Sequence, residues 1–84
     1  MKWQIDSDRP DYKHIIEQTE QAIVSGIFSP AERLPSVRDL AAEAGVNPNT
    51  MQRALAELER SGILYSQRTS GRFITDDEEM IDKL

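Results

Sequence analysis

Apolar positions fall into separate groups along the chain, and the spacing inside each group predicts its backbone. Lys2, Trp3, Gln4, Ile5 and Asp6 alternate polar and apolar, the period-two pattern of a short half-buried strand. After Pro10, Tyr12, Ile15, Ile16, Thr19, Ala22 and Ile23 recur at three- and four-residue steps, one apolar face of a helix over about 10–25. Proline is tolerated at such a start because the first helical N–H has no intrahelical partner. Gly26 supplies the stop, and residues 27–33, with Pro30 among them, read as an irregular connection.

Ser36 followed three residues later by Asp39 resembles a capping box with Asp in place of Glu, and Val37, Leu40, Ala41 and Ala44 share a face. This predicts a short second helix ending at Gly45. Asn47 then offers an N-cap and Pro48 a first helical position, while Met51, Ala54, Leu55 and Leu58 form the stripe of a third helix over about 48–61, closed by Gly62. Ile63, Leu64 and Tyr65, then Phe73, Ile74 and Thr75, flank the turn formers Thr69, Ser70 and Gly71, a hairpin with Arg68 and Arg72 at its tip. Trp3 is expected to plug the core edge under this hairpin. Met80, Ile81 and Leu84 have helical spacing, but so short a tail is too short for an isolated helix in water and reads as the first turns of a longer one.

The predicted fold is therefore mainly α with a small β-hairpin: a winged helix-turn-helix with a short N-terminal strand, three helices and a two-stranded wing. Residues 1–75 form that domain, and 76–84 are an acidic linker or the start of a C-terminal helix. At 84 residues there is room for one core, so a two-domain enzyme is excluded. The absence of cysteine removes disulfides, thiolate zinc sites and a cysteine nucleophile. No apolar run is long enough to span a membrane and no secretory signal is present, so a cytoplasmic location is expected.

Charge changes the picture only when its distribution is considered. The net charge of −5 argues, taken whole, against binding nucleic acid. Between Arg33 and Arg72, however, six arginines face four carboxylates, a net +2, whereas residues 76–84 hold five acids and Lys83, a net −4. Most of the acidity is terminal, and its default reading is a solvated linker, with repulsion of non-specific DNA as the alternative.

A short helix pair followed by a basic hairpin is suited to placing its second helix in a major groove. Opposite the apolar stripe of the third helix lie Asn49, Arg53, Ala56 and Arg60, flanked by Thr50 and Gln52. The N-terminal turns of such a helix reach base edges, which selects Asn49, Thr50, Gln52 and Arg53. Asn and Gln pair bidentately with adenine and Arg with guanine, each worth about 1–3 kcal/mol of discrimination. Arg60, near the helix end, complements the dipole and reads as structural. Asn47 reads first as an N-cap, though its position beside the groove permits DNA contact. His14 is the only histidine, which makes neither a triad nor a metal site, and no cofactor is implied.

The run from Arg33 to Gly62, RLPSVRDLAAEAGVNPNTMQRALAELERSG, closely resembles the DNA-binding domain of GntR-family bacterial transcription regulators, and its NPNT-x-QRA segment resembles the YtrA-like branch. With the N-terminal strand, first helix and wing, the resemblance covers residues 1–75. It implies a winged helix-turn-helix that binds operator DNA as a dimer, and the leading reading of the chain is a transcription regulator acting as a repressor. It further implies DNA contact by Arg38 on the second helix, by Asn47, Asn49, Thr50 and Gln52 at the start of the third, and by Arg68, Thr69 and Gly71 at the wing tip. Arg33, Ser36 and Arg72 are candidate phosphate contacts; for Arg33, solvating the loop is an equal alternative.

The chain also departs from the family pattern. Several relatives carry arginine at the positions of Pro48 and Gln52, and the glycine common beside the basic wing residue is Thr69 here, so base preference does not transfer. Family members continue into a C-terminal domain that dimerises and often binds a small effector. The expectation is an excised DNA-binding domain, favoured by the Met80, Ile81, Leu84 ending, with a minimal regulator as the alternative. A winged helix used for protein association is the competing function. An enzyme finds no nucleophile, metal cluster or paired acid and base in the sequence.

Overall fold

Ile15, Thr19, Ala22 and Ile23 do lie on one buried face, that of helix α1 (Tyr12–Val24), in a computed structural model that describes Trp3 and residues 12–84. The expected strand over 2–6, apart from Trp3, and the expected helix start at Pro10 lie outside the described residues. Trp3 is half-buried and packs against the core. Thr19 is the one polar residue buried on α1, and its hydroxyl donates to the Ile15 carbonyl at 2.8 Å, which removes the cost of burying it.

The next two helices begin and end on the local chemistry of their caps. Helix α2 (Val37–Ala44) starts where the Ser36 hydroxyl accepts the Asp39 N–H at 3.1 Å. It stops at Gly45, whose left-handed φ of 70° lets the Val46 N–H reach back to the Ala41 carbonyl. Helix α3 (Pro48–Arg60) starts where Asn47 Oδ1 accepts the Asn49 N–H at 2.8 Å, with proline in the first turn. Met51, Ala54, Leu55 and Leu58, all at most 1% exposed, drive α3 against α1 and α2. Deleting such a side chain in a packed core costs about 2–5 kcal/mol, so this stripe fixes how α3 is presented.

The wing is an antiparallel pair, β1 (Leu64–Gln67) and β2 (Gly71–Ile74), in the register Leu64↔Ile74, Tyr65↔Phe73, Ser66↔Arg72 and Gln67↔Gly71. Leu64 and Ile74 bury the root of the hairpin in the core, and the Tyr65 and Phe73 rings stack at 5.5 Å across it.

One feature differs from the sequence expectation. The connection over 27–33 is not wholly irregular: its last residues pair with the outer edge of β2. The Ala31 and Leu34 N–H groups donate to the Ile74 and Arg72 carbonyls, the Ile74 N–H donates to the Glu32 carbonyl, and Arg33 bridges Phe73. The physical reason is that β2 would otherwise expose a row of unpaired backbone groups along that edge. Of the two readings of the acidic tail, linker or helix start, the described residues take the second over Glu78–Asp82, a short helix, α4, capped by Asp77, with Met80 and Ile81 half-buried against the core. Packing, rather than propensity, stabilises a helix of this length.

Candidate nucleic-acid interface

Burial of the α3 stripe leaves Asn49, Gln52, Arg53, Ala56 and Arg60 exposed and Thr50 half-buried. The expected base-reading positions are thus on the solvent side of α3 or at its margin. Asn47 and Ser36 are exposed as well, but each spends a side-chain acceptor on the N-cap of its own helix. Arg38 projects from the first turn of α2 and is exposed.

At the wing, the Gln67↔Gly71 pair closes a three-residue loop of Arg68, Thr69 and Ser70, held by the Ser70 N–H donating to the Gln67 carbonyl. Arg68 and Thr69 are exposed at this tip. Gly71 has φ of +97°, a conformation that L side chains rarely adopt, so the turn itself calls for glycine. The Arg33 side chain lies beside it: a Cβ built on Gly71 would sit 3.6 Å from Arg33 Nε. The structure therefore brings Arg33, from the segment before α2, to the wing tip.

The arginines divide by their partners. Arg60 pairs with Glu57 at 3.1 Å on the exposed surface of α3, an i,i+3 contact of little energetic weight, consistent with its structural reading. Arg72 Nε donates to Glu59 Oε1 at 3.1 Å, and the Ser66 hydroxyl donates to the same oxygen. Arg72 is therefore tied to α3. Those interactions hold the Glu59 carboxyl below the usual carboxylate range, the Ser66 hydroxyl contributing most and Arg72 next, against the opposing effect of burial. Arg33, Arg38, Arg53 and Arg68 have no ion pair with a described residue. Arg53 instead lies over the Tyr12 ring, 4.0 Å from its centroid.

Sequence reasoning did not anticipate Glu59, Ser66 or Tyr12 in this region. The sequence marked Glu59 only as an acid in the last turn of a helix, where it opposes the dipole, and gave no sign of its partner. Tyr12 carried no separate signal, because it fits the apolar face of α1 equally well. Among the described residues, no group of three His, Cys, Asp or Glu could hold a metal ion. No described helix is long and apolar enough to cross a membrane.

Against this geometry, comparison with known proteins is specific. The sequence model of the bacterial regulatory proteins of the gntR family matches residues 11–74. The chain is 41% identical over 81 residues to the HTH-type transcriptional regulator YhcF of Bacillus subtilis, spanning 96% of this chain and 67% of YhcF. It is 43% identical over 70 residues to the HTH-type transcriptional repressor YtrA of the same organism, spanning 83% of this chain and 54% of YtrA. The chain thus corresponds to between about half and two thirds of these relatives. Its structure is similar to a GntR family transcriptional regulator from Listeria monocytogenes, with a TM-score of 0.87 and 40% identity over 94% of this chain and 69% of that one. It also resembles the DNA-binding domain of AraR solved in complex with operator ORR3, with a TM-score of 0.70 and 28% identity over 76% and 77% of the two chains.

Proposed function

The chain belongs to the GntR family of DNA-binding bacterial transcription regulators, and we propose that it docks α3 in the major groove of a two-fold symmetric operator and acts there, as a dimer, as a repressor. The observation that carries this reading is the set of arginines on α2, α3 and the wing that have no carboxylate partner among the described residues, beside the exposed N-terminal half of α3. Arg38 and Arg68 contact phosphates and set the register of the domain on the duplex, with Arg33 adding a phosphate contact beside Gly71. Asn49, Thr50, Gln52 and Arg53 read base edges. Asn47 and Ser36 serve first as caps, and their helix starts present backbone N–H groups to phosphate. Thr69 and Gly71 shape the wing tip that carries Arg68. Arg72, paired with Glu59, anchors the wing to α3 more than it touches DNA.

Dimerisation, and response to a small-molecule effector, are part of this reading. Two copies then place α3 in successive major grooves, roughly 34 Å apart. The AraR domain with its operator is a precedent for this fold on duplex DNA.

The test is selection from a random duplex library at low salt, with an Arg38→Ala, Arg68→Ala variant in parallel. The reading predicts an enriched motif with half-sites about one helical turn apart and loss of enrichment for the variant. A folded wild-type protein that enriches nothing, or a variant that enriches the same motif equally, contradicts it. A response flat to salt would favour the protein-association alternative.

A further inference from the structure

Arg53 offers more than an exposed positive charge. It sits on the second turn of α3, yet its guanidinium is held from another element, over the ring of Tyr12 at the start of α1. Tyr12 is half-buried, so its ring position is set by the packing of α1 rather than by solvent. We propose that Tyr12 is a positioning residue for DNA recognition, its ring holding the Arg53 guanidinium in the pose that a paired acceptor on the duplex requires. This inference rests on the reading that α3 docks on DNA.

Side-chain entropy and unspent donors together give the ring this role. A free arginine side chain samples many rotamers, and ordering it on binding weakens the contact it makes. An aromatic face that already orders the guanidinium removes part of that cost before DNA arrives. The ring engages only the face of the guanidinium. Its five N–H donors lie in the guanidinium plane, and among the described residues none has a protein acceptor. A donor fork in a fixed plane matches two adjacent acceptors, either O6 and N7 of a guanine or two oxygens of one phosphate. Arg53 shares with Asn49 the side of α3 opposite Met51 and Leu55, the side this docking presents to the duplex.

The test is a double-substitution cycle on a selected duplex, read by fluorescence anisotropy together with thermal unfolding. Tyr12→Phe keeps the ring and is expected to bind like wild type. Tyr12→Leu is expected to weaken binding about three- to fivefold, the scale of one exposed cation–π contact. In an Arg53→Met background, the same Tyr12→Leu change should have no further effect on affinity. A guanine acceptor would appear as relaxed preference at one base pair. A phosphate acceptor would appear as equal loss on all sequences, with a salt slope smaller by about one.

Additive losses in the double variant, or Tyr12→Phe binding as poorly as Tyr12→Leu, would overturn the positioning role. If folded wild-type protein binds no duplex, the docking reading itself fails and this inference falls with it. Should Tyr12→Leu unfold, the comparison of Tyr12→Phe with Arg53→Lys decides. The role predicts loss for Arg53→Lys, which cannot present a planar fork, and none for Tyr12→Phe; equal affinities for the two overturn it.

Discussion

One carboxylate oxygen, Glu59 Oε1, receives both the Ser66 hydroxyl and Arg72 Nε and so joins α3 to both wing strands. Glu59→Gln is expected to lower stability by about 1 kcal/mol, the scale of a hydrogen-bonded pair that remains partly solvated, as read by chemical denaturation. Its pH dependence has a definite sign. The folded-state pKa of Glu59 is lowered from its ordinary 4.5, so its contribution is complete above that value and is lost as pH falls through the lowered pKa. Between neutral pH and about pH 3 the wild type should therefore lose more stability than Glu59→Gln does. Ala31 offers a second test, since it is the one non-glycine described residue with positive φ, at 64°. Ala31→Gly relieves that backbone and should leave stability equal or raised, whereas Ala56→Gly on the exposed side of α3 should cost about 1 kcal/mol. The caps at Ser36, Asn47 and Gly45 were legible in the sequence because capping is local, with donor and acceptor within a few residues. The Glu59–Arg72 pair was not, because its partners are 13 residues apart and meet only once the wing folds back.

At the scale of elements, periodicity was enough for α1, α2 and α3, whose buried residues are the ones their three- and four-residue spacing selected. The hairpin was legible from its turn residues. The pairing of residues 31–34 with β2 was not, because a pattern broken by Pro30 and Pro35 has no period and the pairing is decided by the edge that β2 presents. Helix α4 shows the same limit. Its apolar spacing was visible, but whether it packs depends on tertiary contacts, among them Met80 Cε, which a Cβ on Gly62 would meet at 3.2 Å. Met80→Ala should cost about 1–2 kcal/mol of stability, less than a fully buried methionine, because Met80 is only half-buried. Its affinity for a selected duplex should not change, since Met80 packs on the core and not on the exposed side of α3.

On the scale of the whole molecule, the charge of −5 is an average over two unlike regions. The stretch from Arg33 to Arg72 is net positive and carries the arginines that have no ion pair with a described residue, while the tail is strongly acidic. Neutralising Asp76, Glu78 and Glu79 to their amides, with the capping Asp77 retained, should raise affinity for random-sequence DNA severalfold at low salt and leave the selected motif unchanged. The proposed docking has the duplex meeting the N-terminal half of α3 and the wing tip. Its most direct test is amide chemical-shift mapping of the 84-residue chain during titration with a selected duplex. The predicted result is perturbation concentrated at Arg38, at Asn49–Arg53 and at Arg68–Gly71. Perturbation confined to the groove beside the C-terminal end of α1 that Gln21, Ile27 and Leu84 line, with the α3 and wing signals unmoved, would contradict it.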